Sequence, residues 1–248
     1  GTKAQNAGAF PLLIKLIDAA GPLSVQVHPD DAYAREFEHS LGKSEMWLVL
    51  DASEGAGIYY GFKRETPLAE MRAAIENNTL TELLSWVPAK TGDCFIPAGT
   101  VHAIGAGLMV AEVQQSSNLT YRVYDYGRVG ADGRPRELHI DKALAVARRE
   151  PPKDPVGPTE PERAVAGGRI QPLFSCDKFT TETRTVEGEM ADSVSPESFV
   201  SLLVLAGEGA IRHGGETYPV KKGQSVFLPA GLGDYALTGR MKLLRTRV

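Results

Sequence analysis

Two histidines, a glutamate and a glutamine stand where they could bind a divalent metal. Polar and apolar side chains alternate over residues 24–28, so in a strand Gln26 and His28 project from one face. Glu45 begins another apolar run, and His102 follows a tight turn. Imidazole and carboxylate ligands suit zinc and other first-row metals, and so few protein ligands leave a position for water or substrate. The spacing indicates a catalytic metal site, although an edge strand with a solvated polar face would show the same pattern.

Two arginines near residue 125 are candidates for a phosphate clamp. Arg122 and Arg128 lie within a Tyr-rich stretch, residues 120–128. Guanidinium groups match phosphate oxygens with paired hydrogen bonds. The alternative is that both arginines are solvated surface residues, and the pattern alone leaves both interpretations open.

Short β-type runs separated by Gly, Pro and Asp dominate the first half of the chain, which predicts an antiparallel sandwich or barrel. The predicted strands are Leu12 to Ile17, Leu23 to Val27, Met46 to Leu50, Ile58 to Gly61, Cys94 to Ile96, Leu108 to Val113 and Tyr121 to Asp125. Helical spacing of apolar residues predicts helices over Leu68 to Trp86 and Leu138 to Ala147, and another should begin near Asp31.

A proline-rich stretch divides the chain. Six of the sixteen prolines fall within residues 151–172, and proline fixes φ and removes a backbone donor. We therefore expect a linker there without helix or central strand, between a first domain at 1–150 and a second at 173–248. Short strands predicted after the linker make the second domain β-rich as well.

An internal similarity relates the two halves. Residues 92–99 and 223–231 share a Gly, a short apolar strand and Pro-Ala-Gly. This similarity indicates a duplicated β-barrel unit. Superposing the two turns places Asp234 at the position of His102, and the second half offers no equivalent of the pair Lys43 and Glu45. The second barrel is therefore predicted to lack metal ligands.

The composition excludes several classes of function. The 248 residues carry 27 Lys+Arg against 31 Asp+Glu, a formal net charge of −4, so nucleic-acid binding is disfavoured. The longest apolar runs are far shorter than the roughly 20 residues of a membrane-spanning helix. Two cysteines, 82 positions apart in the chain, form neither a metal knuckle nor a disulfide framework. We expect a cytoplasmic protein without membrane or nucleic-acid partners.

Four ordered motifs resemble the short bacterial type I mannose-6-phosphate isomerases of the cupin superfamily. The motifs are Leu23-Ser24-Val25-Gln26-Val27-His28-Pro29-Asp30-Asp31, Gly42-Lys43-Ser44-Glu45-Met46-Trp47, Pro97-Ala98-Gly99-Thr100-Val101-His102-Ala103-Ile104-Gly105 and Tyr121-Arg122-Val123-Tyr124-Asp125-Tyr126. The resemblance implies a mainly β fold of two cupin (double-stranded β-helix) barrels, with a few helices inserted in and following the first barrel. It also implies a divalent metal, zinc above all, and interconversion of D-mannose 6-phosphate and D-fructose 6-phosphate through an enediol.

The resemblance also implies roles for individual residues. It places on the metal Gln26, His28, Glu45 and His102, of which Gln26 is the ligand that some members replace with water. Catalytic roles fall to Arg122, Lys43 and Glu112, with Glu112 the first candidate for the base and Lys43 the second. Substrate contacts fall to Ser24 and Arg128. The phosphorylated sugar is the expected small-molecule partner.

Two alternatives to an isomerase stay open at this stage. A cupin that binds sugar phosphate without turnover, as a regulatory or accessory protein, would keep much of the pocket. A metal-dependent oxygenase could use the same fold. Family members normally carry a region before the strand near Phe10 to Leu16, and the given sequence starts with Gly1. Strands of that region would pack against the barrels. Without them, exposed sheet edges would favour self-association, which leaves a homodimer as a further expectation.

Overall fold

A computed structural model describes residues 1–3, 10–95, 99–130, 132–153 and 156–248. The chain forms two compact units. The large unit is Leu12–Val156, and the small unit combines Gly1–Pro11 with Gly157–Val248. No helix among the described residues is long and apolar enough to cross a membrane.

The large unit contains two antiparallel sheets. Its described strands are β1 (Leu12–Ala19), β2 (Val25–Val27), β3 (Glu45–Ala52), β4 (Gly57–Phe62), β5 (Leu84–Pro88), β6 (Cys94–Phe95), β7 (His102–Ile104), β8 (Leu108–Gln115) and β9 (Tyr121–Tyr124). One sheet has the order β1-β8-β3-β6 and the other β5-β4-β7-β2-β9. Trp47 and Val110 of the first sheet pack with Tyr60 and Ile104 of the second in one apolar cluster. These side chains therefore lie between the two sheets, in the barrel interior.

Helices cover the opposite face of the five-stranded sheet. They are α1 (Asp31–Glu38), α2 (Leu68–Glu76), α3 (Leu80–Leu83) and α4 (Ile140–Val146). Met71 and Ile75 of α2 and Leu144 of α4 pack on Val25 and Val123. Helix α1 begins as predicted, because the Asp30 carboxylate accepts a hydrogen bond from the Tyr33 N–H at 2.9 Å. Alternation along each strand thus sends apolar residues to the helices and leaves the inner face to the site.

The predicted helix over Leu68 to Trp86 is wrong in its second half. Helix α2 stops at Glu76, and Asn78 adopts the left-handed conformation with φ 58°, which asparagine tolerates better than most residues. After the short α3, the chain enters β5, where Trp86 pairs with Tyr59 of β4. The β-branched and aromatic residues at the end of the predicted helix fit a strand better than a helix.

The small unit is built on long strands that bend through one sheet. Its described strands are β10 (Arg163–Val165), β11 (Gly168–Ser175), β12 (Thr180–Val194), β13 (Val200–His213), β14 (Glu216–Lys221), β15 (Ser225–Leu228) and β16 (Gly233–Arg247). The order is β10-β11-β12-β16-β13-β14, and β15 also pairs with β13. Leu202, Met190, Leu237 and Leu243 form the apolar interior.

The expectation of a linker over 151–172 without a central strand is wrong in its second part, because β11 pairs with β10 on one side and β12 on the other. Strand β10 and the start of β11 lie within it, and Pro172 is inside β11. The pairing of β11 with β12 is irregular between Pro172 and Phe174. A proline is tolerated there because an irregular ladder position does not require its missing N–H.

The internal similarity extends to backbone hydrogen bonds. The Gly92 N–H donates to the Val49 carbonyl at 2.8 Å, and the Gly223 N–H donates to the Val204 carbonyl at 2.9 Å. The pairing of β3 with β8 shifts register immediately after Val49, and the pairing of β13 with β16 shifts register immediately after Val204. Three residues of the first motif lie outside the described part of the chain: Ile96, Pro97 and Ala98. The described parts of the two motifs therefore form equivalent turns.

Candidate active site

A fully buried cluster of two histidines and one glutamate lies in the large barrel. His28 follows β2 and His102 begins β7 in one sheet, whereas Glu45 begins β3 in the facing sheet. Glu45 Oε1 is 3.3 Å from Nε2 of both His28 and His102. One ligand atom from each residue lies within 4.8 Å of the others. The structure thus brings together three of the four predicted metal ligands.

Backbone carbonyls orient both imidazole rings. His28 Nδ1 is 2.9 Å from the Leu119 carbonyl oxygen, and His102 Nδ1 is 2.7 Å from the Thr100 carbonyl oxygen. A carbonyl oxygen only accepts, so each Nδ1 donates and each Nε2 is directed into the cluster. There His28 Nε2 lies 3.1 Å from the Lys43 ammonium. This arrangement fixes the ring orientation and is typical of histidines that bind metals through Nε2.

Glu45 is a buried carboxylate without hydrogen-bond partners in the described residues. Neither Oε1 nor Oε2 has a partner of hydrogen-bond geometry there, and the nearest cation is the Lys43 ammonium, 2.6 Å from Oε2. A buried, poorly satisfied carboxylate is costly unless a cation binds it. Glu45 Oε1, buried and facing the Nε2 atoms of His28 and His102, completes a donor set that fits a divalent metal.

The electrostatics of the cluster favour the ligand forms of its members. Burial lowers the pKa of His28, and this effect outweighs the opposing pull of Glu45. Burial alone would raise the pKa of Glu45, but His28 and Lys43 hold it well below the usual range. Glu45 is therefore a carboxylate and His28 a neutral imidazole at neutral pH, as metal binding requires.

Gln26 and Arg122 share the row of His102. In the sheet Gln26 is directly opposite His102 on one side and Arg122 on the other, so the three side chains project from the same face. Gln26 Nε2 is 3.5 Å from His102 Nε2. Arg122 Nε donates to the Ser24 hydroxyl at 3.3 Å. With strands about 4.8 Å apart, Arg122 is about 10 Å from His102 along the sheet.

Glu112 lies on the inner face of the facing sheet, with both carboxylate oxygens occupied. Lys15 Nζ is 2.6 Å from Oε1, and Trp47 Nε1 donates to Oε2 at 3.0 Å. Lys15 also contacts the side-chain oxygen of Gln114. Sequence reasoning missed Lys15 and Gln114. The signal for Lys15 was available, because it is the one charge in the otherwise apolar run 12–17.

Arg128 is placed differently from Arg122. Its Nη1 donates to the Pro22 carbonyl at 2.6 Å, and its Nε donates to Asp125 Oδ1 at 3.1 Å. Arg136 Nε donates to the other oxygen of Asp125 at 2.7 Å. Arg128 therefore braces the loop after β9, and its contact with a substrate phosphate stays a prediction.

In the small unit, Asp234 is exposed and lies outside the interior. The polar end of that barrel contains an ion cluster instead: Glu182, Arg184, Asp192, Tyr235 and Arg245. Arg184 Nη1 is 2.8 Å and Arg245 Nε is 2.9 Å from Asp192 Oδ2, and Tyr235 donates to the same carboxylate. The cluster pairs its own charges and offers no set of free ligand atoms.

Comparison with known proteins yields one consistent family. The model for "Mannose-6-phosphate isomerase, cupin domain" matches residues 169–248, and that for "Phosphomannose isomerase type I, catalytic domain" matches residues 2–55. The chain is similar to the mannose-6-phosphate isomerase ManA of Bacillus subtilis (strain 168), with 41% identity over 93% of the chain and 72% of that protein. It is also similar to the mannose-6-phosphate isomerase of Streptococcus mutans, with 40% identity over 97% of the chain and 75% of that protein.

Among solved structures, a crystal structure of the mannose 6-phosphate isomerase from Bacillus subtilis superposes with a TM-score of 0.88 at 35% identity. The match covers 98% of this chain and 78% of that one. The predicted mainly β cupin fold is confirmed by this similarity and by the cupin-domain match.

Proposed function

The chain belongs to the type I mannose-6-phosphate isomerases, and we propose that it interconverts D-mannose 6-phosphate and D-fructose 6-phosphate at the cluster of His28, Glu45 and His102. The observation that carries this assignment is the buried Glu45 carboxylate, whose Oε1 lies 3.3 Å from Nε2 of both His28 and His102. Family membership supplies the reaction, and the cluster supplies the place for it in the large barrel.

Zinc is the metal we propose, because two imidazoles and one carboxylate with a remaining open position match catalytic zinc sites. His28, Glu45 and His102 would hold it, with Gln26 at their border as a fourth ligand. When bound, such a metal acts as a Lewis acid on the carbonyl and hydroxyl oxygens of the sugar. Gln26 is supported by its position opposite His102 in the sheet.

Glu112 is the base in this proposal. Aldose–ketose isomerisation removes a proton from C2 of mannose 6-phosphate and returns one to C1 of the enediol, so one carboxylate can serve both steps. Lys15 and Trp47 each use one lone pair of Glu112, and each oxygen keeps another for a proton. Lys43 suits a different task, because its Nζ lies 2.6 Å from Glu45 Oε2 at the cluster. It would donate to a substrate oxygen.

Arg122 would bind the phosphate. It lies in the row of His102, about 10 Å away along the sheet, a separation that a six-carbon sugar phosphate can bridge. Ser24 accepts from Arg122 Nε and so orients the guanidinium. Phosphate binding remote from the reacting carbons would hold C1 and C2 against Glu112. Arg128 would add charge at the outer edge of this pocket.

The large unit would thus be the catalytic barrel and the small unit a barrel without a metal site. A cytoplasmic location and a homodimer remain predictions. A sugar-phosphate-binding protein without turnover is the alternative function, but the base and ammonium beside the cluster favour an enzyme. Binding alone requires neither group.

The test is an isomerase assay on the purified chain after chelation and after reloading with zinc, with elemental analysis of both samples. We expect turnover of mannose 6-phosphate that is lost with the metal and restored with it. In ²H₂O, deuterium should enter the product at the position that exchanged with the base. Substrate binding without turnover would support the non-catalytic alternative, and oxygen consumption with iron would support an oxygenase.

A further inference from the structure

The carboxylate of Glu112 is held from two strands of the same sheet. In the β3–β8 register Trp47 is directly opposite Glu112, and in the β1–β8 register Lys15 is directly opposite it. Neighbours across strands project from the same face, so an indole N–H and an ammonium reach the two oxygens from either side. Contacts at both oxygens therefore restrain the side-chain torsions that would turn the carboxylate.

Trp47 links this carboxylate to the metal cluster. Its side chain is 1% exposed, and its N–H donates to Glu112 Oε2 at 3.0 Å. Its ring meets His102 edge to face, with centroids 5.0 Å apart and planes at 77°. One rigid side chain thus sets the position of Glu112 relative to His102.

Gln114 fixes the opposite side. Its Nε2 donates to the Gln115 carbonyl at 2.7 Å and to the Ser117 carbonyl at 2.9 Å, so both amide hydrogens are used. A flipped amide would place its oxygen against two carbonyl oxygens. Its own oxygen is therefore directed at Lys15 Nζ, which holds the ammonium against Glu112.

We propose that Trp47 and Gln114 are positioning residues that fix the Glu112 carboxylate for proton transfer between C2 and C1 of the sugar. This inference rests on the proposed function. Neither residue needs to touch substrate. Trp47 acts on one carboxylate oxygen directly, and Gln114 acts on the other through Lys15.

The first test is Trp47→Phe, which keeps an aromatic ring beside His102 and removes the N–H. Because a hydrogen bond to a charged group and the positioning it provides are lost, kcat should fall roughly 10- to 100-fold. KM for mannose 6-phosphate and the zinc content should stay at the wild-type values. Trp86→Phe is the matched control, since Trp86 is 44% exposed and packs on Tyr59. A Trp47→Phe variant with wild-type kcat would overturn the proposal.

Gln114→Leu tests the other side. It removes the acceptor for Lys15 while keeping a side chain of similar size, and kcat should fall with KM unchanged. Gln114→Glu should be worse, because a carboxylate oxygen would face the carbonyls of Gln115 and Ser117. Equal activity of all three proteins would show that Lys15 needs no partner and would remove Gln114 from the proposal.

A spectroscopic readout separates the inference from the function. In the Trp86→Phe background Trp47 is the only tryptophan, and ultraviolet resonance Raman spectra report hydrogen bonding of its N–H. We expect the indole N–H band to shift when Glu112→Gln is added. Unchanged spectra would contradict the proposed hydrogen bond between Trp47 and Glu112, even in a fully active enzyme. If adding Glu112→Gln to the Trp86→Phe protein shifts the band but the wild type has no isomerase activity, the proposed function fails. The contact between Trp47 and Glu112 is then still supported.

Discussion

The polar ends of the two barrels use their interior charges in opposite ways. In the large unit, Glu45 keeps two carboxylate oxygens without hydrogen-bond partners among the described residues, facing two imidazoles. In the small unit, the ion cluster joins two arginines to two carboxylates within its own interior: Glu182, Arg184, Asp192 and Arg245. Glu45 has one ammonium, Lys43, at Oε2 and still directs Oε1 at the two imidazoles. That arrangement prepares a site for a cation, whereas a buried anion paired with two arginines closes one.

Strand register makes this comparison a position-by-position one. Trp47 is opposite Glu112 in β3 and β8, and Leu202 is opposite Arg245 in β13 and β16. Since Val49 and Val204 make equivalent turn hydrogen bonds, Arg245 occupies the position of Glu112. Lys15 is opposite Glu112, and Glu182 is opposite Arg245. The same pair of positions thus carries opposite charges in the two barrels.

The difference shows what a cupin interior requires at its polar end. A barrel of this size cannot leave charges there unsatisfied without a cost of several kcal/mol. The small unit satisfies them internally, and its apolar interior continues directly from the cluster. The large unit pairs its carboxylates with lysines but also directs Glu45 Oε1 and two imidazole nitrogens toward one another, so its polar end is where a cation can bind.

Removing one carboxylate from each barrel should have the most unequal effect on activity. Glu45→Gln keeps the shape of the side chain but removes the charge that a divalent metal needs. We expect zinc content and isomerase turnover to fall below detection. Asp192→Asn in the small unit should leave both unchanged per folded molecule. Elemental analysis and a coupled assay on the two variants decide this. An active, zinc-loaded Glu45→Gln protein would contradict the assignment of the site.

The same Asp192→Asn change should have a large effect on the free energy of unfolding. It leaves two buried arginines with one carboxylate between them, and breaking a buried pair in this way costs about 3–5 kcal/mol. Denaturant unfolding should show this loss in the free energy of unfolding. Asp177→Asn is the matched control, because the side chain of Asp177 is 77% exposed, and its effect should stay within about 0.5 kcal/mol. Equal free energies of unfolding for Asp192→Asn and Asp177→Asn would show that the ion cluster does not stabilise the small unit.

Much of the large-barrel site could be predicted from sequence because its residues lie in short ordered motifs. Alternation in residues 24–28 placed Gln26 and His28 on one face, and Glu45 and His102 each stand at the start of a strand. The orientation of the imidazoles could not be predicted. It depends on the carbonyls of Leu119 and Thr100, and backbone acceptors leave no trace in residue type.

The ion cluster was missed for a different reason. Asp192 and Arg245 are 53 positions apart, and each taken alone resembles an ordinary charged residue in a surface strand. Only the pairing of two 15-residue strands, β12 and β16, brings them together in the interior. Asn78 and Pro172 show the same limit for the backbone. The predicted helix ends just before Asn78, and a strand runs through Pro172 where a linker was predicted.

A second aspartate that holds two arginines sharpens the comparison by its pH dependence. Burial would raise the pKa of Asp125, but hydrogen bonds from Arg136 and Arg128 hold it below its ordinary value. Its contribution to stability is therefore fully present above about pH 3.8 and is lost as pH falls through the lowered pKa. Asp125→Asn should cost about 1–2 kcal/mol at neutral pH, because both arginines are partly exposed.

That cost should disappear in acid. The free energies of unfolding of the wild type and of Asp125→Asn should be measured from pH 7 to pH 2. They should approach each other once the pH falls below the ordinary pKa of an aspartate. A difference that persists at the lowest pH would mean that the charge of Asp125 does not stabilise the loop. Arg163→Gln, at an exposed arginine in the small unit, serves as the control with a flat difference.

The smallest effect is expected when the ion cluster is replaced rather than broken. The triple variant Asp192→Leu, Tyr235→Phe, Arg245→Met removes one positive and one negative charge together with the hydroxyl that donates to Asp192. Arg184 keeps Glu182, 2.7 Å away, so no buried charge is left alone. Apolar replacements of buried ion pairs are often neutral or stabilising, and the new side chains would extend the cluster of Leu202, Leu237 and Leu243. The free energy of unfolding should therefore stay within about 1 kcal/mol of the wild-type value, in contrast to that of Asp192→Asn. A loss as large as that of the single variant would show that the charges themselves, and not merely their mutual neutrality, stabilise the small barrel.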